Sequence, residues 1–154
     1  MDEKMPEGSI RVKDIEVLAL LHDCVVPTIW HTPTSTSVDG VSISEDVDLR
    51  VPFFPNGSVS MMICTNPSSE ASLPYAYRVY MDPCYVVPPH NQCIEKIFGK
   101  PWMGNIVVVR YARTYSLDRK CFSNVQKHEC EVMIALLGEW LDEVWRKAFG
   151  QVVF

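Results

Sequence analysis

The sequence predicts an α+β fold: a mixed, mostly antiparallel sheet with one long C-terminal helix packed across one face. Three observations predict it. Residues Ile106 to Tyr111 (IVVVRY) are apolar on both faces up to Val109, the pattern of an interior strand. Residues 58–63 and 75–81 alternate with a period of two. Beyond Ser123, Cys130, Met133, Ile134, Leu137, Leu141, Val144, Trp145 and Ala148 recur at helical spacing, a stripe wide enough to cover a sheet.

The elements follow in chain order. Residues 1–9 read as a frayed polar tail. Ile10 to His22 reads as a helix, with Asp14 as its cap and Ile15, Leu18 and Leu21 on one side; Val12, Ile15 and Val17 leave a strand open. Residues 27–48 read as a polar connector, and 27–57 as a whole as loop-rich. Within it, Asp39-Gly40 between Val38 and Val41-Ser42-Ile43 signals a hairpin turn. Arg50 to Phe54, punctured by Pro52 and Pro55, is at best an edge strand. Asn56-Gly57 is a second turn, leading into the strand where Val59, Met61 and Ile63 share a face.

Asn66 to Pro74 reads as a loop. Tyr75, Tyr77, Val79 and Met81 then share one face of a further strand, with Ala76, Arg78 and Tyr80 on the other. Asn91 to Phe98 reads as a short helix, with Gly99 as its left-handed terminator and Pro101 preventing resumption. The stretch from 81 to 105 is long enough for a crossover, so a parallel βαβ unit is expected there. Ser123-Asn124-Val125-Gln126 has the Ser-x-x-Gln form of a capping box and is expected to start the last helix. Gly150 is expected to end it.

A length of 154 residues fits a single domain. An apolar fraction of 47% with 21% charged residues is that of a soluble globular chain. The net charge of −5 argues against nucleic acid, which selects a basic footprint, and against anionic membranes. The longest apolar runs, Val17–Leu21 and Ile106–Val109, fall far short of the ~20 residues that a membrane helix needs. The polar start, Met1-Asp2-Glu3-Lys4, does not read as a secretory signal. Six cysteines are therefore expected to be reduced, and the location intracellular and cytoplasmic.

Candidate chemistry is sparse. Cys84, His90 and Cys93 are the nearest approach to a metal cluster, with His90-x-x-Cys93 the one knuckle-like spacing. Isolated thiols and a loop histidine explain the same residues. Cys24 after His22-Asp23, and Cys121 before the last helix, are the candidate nucleophiles, yet free cysteine is more often a small buried apolar residue. Neither a Gly-x-Ser-x-Gly elbow nor a Gly-rich phosphate loop occurs. Trp102 and Trp140 stand outside the helix stripe and suit a protein-contact surface.

The segment Gly99-Lys100-Pro101-Trp102-Met103-Gly104-Asn105, followed by Ile106 to Val109, resembles a stretch in short uncharacterised proteins of mushroom-forming fungi. The resemblance spans Tyr77 to Trp140. It implies no activity; it implies an intracellular fungal protein.

Three functions follow as expectations. The first is a non-enzymatic interaction or regulatory module that works through Trp102, Trp140 and an exposed sheet edge, with a protein partner or a second copy and no cofactor. The second is a small-molecule binding protein or small enzyme, its pocket between sheet and long helix with Tyr77, Tyr111, Cys121 and His128 as polar groups. The third is a structural zinc site at Cys84, His90 and Cys93.

Overall fold

The computed structural model describes residues 10–39, 42–49, 53–65, 72–83, 87–111, 119–120 and 122–149. The elements are β1 (Ile10–Leu20), β2 (Thr28–Asp39), β3 (Ser42–Val47), β4 (Val59–Thr65), β5 (Ser72–Met81), α1 (Gln92–Phe98), β6 (Ile106–Tyr111), β7 (Arg119–Lys120), β8 (Phe122–Ser123) and α2 (Cys130–Phe149). The strands form one sheet in the order β4-β5-β6-β1-β2-β3-β7, with β8 paired to β6. Only β3–β7 is parallel among the pairs. With α2 across one face, the fold is the α+β architecture that the sequence predicts.

The first element is not a helix. Ile10–Leu20 is a strand because its side chains serve two cores. Leu18 and Leu20 point to the helix side, while Ile15, Val17, Ala19 and Leu21 point to the opposite side. Apolar residues at i, i+3 and i+6 fit a doubly buried strand as well as a helix, and β-branching tips the balance. The expected connector at 27–48 is also strand. Its threonines suit pleated backbone, and Thr32 and Thr34 are buried rather than solvated. The Thr32 hydroxyl donates to the Asp48 carbonyl at 2.5 Å. The hairpin expected here exists: Val38 pairs with Ile43 and Asp39 with Ser42. Its turn residues, 40–41, lie outside the described residues, as do the tail 1–9 and 50–52.

Further along, Phe53 sits in a turn rather than an edge strand, and with Phe54 it is core. The Gly57 N–H donates to the Phe54 carbonyl at 3.1 Å, and φ of +92° explains glycine there. The helix expected at Asn91–Phe98 forms, with the Asn91 side chain accepting from the Ile94 N–H and Gly99 left-handed at φ +69°. The parallel crossover does not form. β5 and β6 are antiparallel, Tyr77 opposite Arg110 and Met81 opposite Ile106. The stretch between them returns to the end of the sheet it left, and α1 packs against the helix-side core.

Ser123 does not cap the long helix. It belongs to β8, and its hydroxyl donates to the Tyr111 carbonyl at 2.9 Å. The helical chain starts four residues later, with a 3-10 turn at Lys127–Glu129. There the Glu129 carboxylate accepts from the Gln126 N–H at 2.5 Å. α2 runs to Phe149; the expected terminator Gly150 lies outside the described residues.

The two faces are packed differently. On the helix side, Met133, Leu136, Leu137, Trp140 and Leu141 of α2 meet Leu18, Leu20, Ile63, Tyr77, Val79, Ile106 and Val108. On the other side, Ile15, Val17, Ala19, Val107, Val109 and Tyr111 meet Leu49, Phe53, Phe54 and Phe122, with no helix over them among the described residues. The sheet curls. β7 pairs with β3 at Lys120 and β8 with β6 at Phe122. Two residues of chain reach ~7 Å at most, less than the width of the intervening β1 and β2 in a flat sheet.

Candidate functional site

Three clusters of polar groups have the geometry of a site. The first closes the start of α2. Arg110, buried on β6, donates through Nη1 to the Glu129 carboxylate at 2.9 Å and through Nε to the Ser123 hydroxyl at 2.9 Å. Its guanidinium lies 4.2 Å from the Tyr75 ring centroid. The Tyr77 hydroxyl donates to the other Glu129 oxygen at 3.1 Å. Burial, then the Glu129 charge, pushes the Tyr77 phenol well above its ordinary range. Each group has its partner, so the cluster locks the helix start to the sheet. It does not present a reactive group.

The second cluster lies at the junction of β1, α1 and β6. The buried Asn105 side chain accepts from the His22 N–H at 2.8 Å, lies 3.1 Å from the His22 Nδ1 atom, and donates to the Phe53 carbonyl at 2.9 Å. Asn91, wholly buried, donates to the Leu20 and Gly104 carbonyls at 2.9 and 2.7 Å while capping α1. Asp82 accepts from the Asn105 N–H at 3.2 Å. Burial raises its carboxyl, opposed by that hydrogen bond and by His22. Gly104 (φ +88°) lies so close that a Cβ there would overlap the Asp82 carboxylate. The thiol nearest in sequence to His22, Cys24, lies 3.7 Å from the Asp23 carboxylate, which raises its pKa after burial does. A raised thiol is a poor nucleophile. The cluster satisfies backbone groups that the irregular chain leaves buried.

The third is a cavity. On the face opposite α2, Pro33, Thr34 and Ser35 of β2, Val47 of β3, Asp48, Leu49, Phe54, Gly57, Ser58 and Tyr80 of β5 line an open cavity of about 440 Å³. That volume lies in the range of small-molecule sites. Val47, Leu49 and Phe54 make it apolar; Thr34, Ser35, Ser58 and Tyr80 bring hydroxyls, and Asp48 brings the one carboxylate. The lining contains no Lys, Arg or His among the described residues. Arg78, next to it on β5, is engaged elsewhere: Nε donates to the Tyr111 hydroxyl at 2.5 Å and Nη1 to the Ser60 hydroxyl at 3.0 Å.

The residues singled out by sequence do not assemble as expected. Between sheet and α2 lies a void of about 10 Å³, lined by Ile63, Tyr77, Val79, Val108, Met133, Leu136 and Leu137, too small for a ligand. Tyr77 faces that core and Tyr111 the opposite one. His128 is exposed on the 3-10 turn, and Cys121 lies outside the described residues. Trp140 is only 8% exposed and belongs to the helix core, as does Leu136, which the expected stripe omits. It is therefore no surface anchor. Trp102 is half-buried against the same core. His90 pairs with Glu95 at 2.9 Å on the exposed side of α1. Cys93 is fully buried, its thiol pushed up to about 11, chiefly by burial. Cys84 lies outside the described residues, and no three metal-ligating side chains converge among those described.

No family model, no curated protein and no solved structure matches this chain. No helix among the described residues is long and apolar enough to cross a membrane. The cavity residues escaped the sequence reading because they come from separate segments (33–35, 47–49, 54–58 and Tyr80) that converge only when the sheet curls. The one usable signal was Asn56-Gly57, a turn that places Ser58 on the rim.

Proposed function

We propose that the protein is a non-enzymatic binding module, and that it holds a small neutral molecule in the cavity on the face of the sheet opposite α2. The observation that carries this reading is the cavity itself: about 440 Å³ with an apolar floor and hydroxyls at its wall. No described cation lines the cavity, so an anion would be desolvated there without a counter-charge. The other polar clusters support a binding rather than a catalytic role, because their groups are spent on backbone and ion-pair bonds. A thermal-denaturation screen tests the reading. Neutral compounds of drug size should include some that raise the midpoint, whereas matched carboxylates should not. At a hundredfold excess over the dissociation constant the gain is about 2.7 kcal/mol. A Ser58→Trp variant, which fills the rim, should lose every such shift. Stabilisation by anions alone, or shifts that persist in Ser58→Trp, would refute the reading.

A further inference from the structure

One wall of the cavity is built from chain that has just left the sheet. β3 ends at Val47, opposite Thr34, and the Asp48 N–H still donates to the Pro33 carbonyl at 2.9 Å. Leu49 then turns inward and is buried, and its carbonyl accepts from the Phe54 N–H at 2.9 Å. Asp48, Leu49 and Phe54 all line the cavity. Two buried polar side chains hold this wall to the sheet. The Asn105 amide donates to the Phe53 carbonyl at 2.9 Å, and the Thr32 hydroxyl donates to the Asp48 carbonyl at 2.5 Å. Trp30, Thr32 and Thr34 alternate along β2 and so share one face. The Trp30 ring stands edge-on to Phe53, 5.5 Å between centroids, and Thr34 lines the cavity. Thr32, between them, is 2% exposed and lies behind the lining. Its neighbour across the ladder, Ile15, is aliphatic and buried. A valine would fill the same space and suits a strand as well, so packing alone does not ask for a hydroxyl at this position.

We infer, resting on the reading of the cavity as a binding site, that Thr32 is a positioning residue for that site: its hydroxyl fixes the point where the Asp48–Leu49 wall leaves the sheet, and so sets the affinity without touching the ligand. The bond closes onto a backbone carbonyl, so it constrains the path of the chain rather than one side chain. Without it the Asp48 carbonyl is released to water. The wall then holds its binding position for a smaller fraction of the time, and the apparent affinity falls by that fraction.

Fluorescence titration with Nile red, a neutral dye that brightens in apolar surroundings, tests this in the intact chain, with Ser58→Trp as the blank for dye bound elsewhere. Thr32→Val keeps the shape and loses the hydroxyl. It should raise the dissociation constant about fivefold or more, the scale of one hydrogen bond. Thr32→Ser keeps the hydroxyl and loses a methyl group, and it should bind within about twofold of the wild type. Both variants should lower the thermal midpoint. If Thr32 served packing alone, affinity would follow the midpoint rather than the hydroxyl. Wild-type affinity in Thr32→Val, or an equal loss in Thr32→Ser and Thr32→Val, would overturn the positioning role and leave the cavity as the binding site. A wild type that binds the dye no better than Ser58→Trp would overturn both.

Discussion

The two faces of the sheet are built from the same alternating strands, yet they differ in what covers them. The helix face carries α1 and α2, and the void beneath Met133, Leu136 and Leu137 of α2 measures about 10 Å³. The opposite face is covered by the loop-borne side chains Leu49, Phe53 and Phe54, and it leaves about 440 Å³ open beside them. A helix presents a continuous stripe that interdigitates with a sheet. A loop presents a few side chains and leaves space between them. The difference gives the first face a closed core and the second an open cavity, the feature on which the proposed binding role rests.

Breaking the helix face should have the largest effect. Leu137 is 2% exposed at the centre of the α2 stripe, and Leu137→Asp strands a charge there. A loss of about 4 kcal/mol or more is expected, enough to abolish cooperative unfolding in urea. Next comes the Arg110–Glu129 pair, whose side chains are both nearly buried. Glu129→Ala leaves Arg110 and Tyr77 without their acceptor and should cost about 3–5 kcal/mol by chemical denaturation. Replacing both partners by apolar residues of similar size should cost much less, which separates the pairing from simple burial.

The same cluster gives the comparison a pH signature. Tyr77 has a folded pKa above its ordinary value of 10.0, because burial and Glu129 both oppose its ionisation. In the unfolded chain the phenol loses its proton first, so fewer protons are bound there. Stability is therefore retained below pH 10 and falls as pH rises beyond it, by up to about 1.4 kcal/mol per unit. Tyr77→Phe should flatten that slope in a series of denaturation curves from pH 8 to 11. The smallest effect on stability belongs to the cavity rim. Ser58 is exposed, and Ser58→Trp should shift the unfolding free energy by no more than about 0.5 kcal/mol while it removes binding.

The helix face was largely legible in the sequence, and the open face was not. α1 announced itself through Asn91, Gly99 and Pro101, all local signals whose meaning does not depend on distant chain. β5 and β6 were legible from alternation and from the apolar run at Ile106–Val109. α2 was legible in extent, although Trp140 and Leu136 join its buried side and its cap sits at Gln126 and Glu129 rather than Ser123. On the open face, β1 was misread because apolar residues three apart serve a helix and a two-faced strand equally. The hairpin between β2 and β3 was signalled by Asp39-Gly40, but the length of β2 was missed because serine and threonine suit loops and strands alike, and only burial of Thr32 and Thr34 separates the two. The cavity had no local signature, since Thr34, Asp48, Phe54 and Tyr80 are neighbours only through the curl of the sheet.

Native mass spectrometry of the protein from its own source cells, set against its denatured mass, tests the division of labour most directly. The account predicts a small non-protein mass bound to the native protein, lost on denaturation and absent from Ser58→Trp. A bare native mass in the wild type, or a bound mass that Ser58→Trp retains, would contradict it.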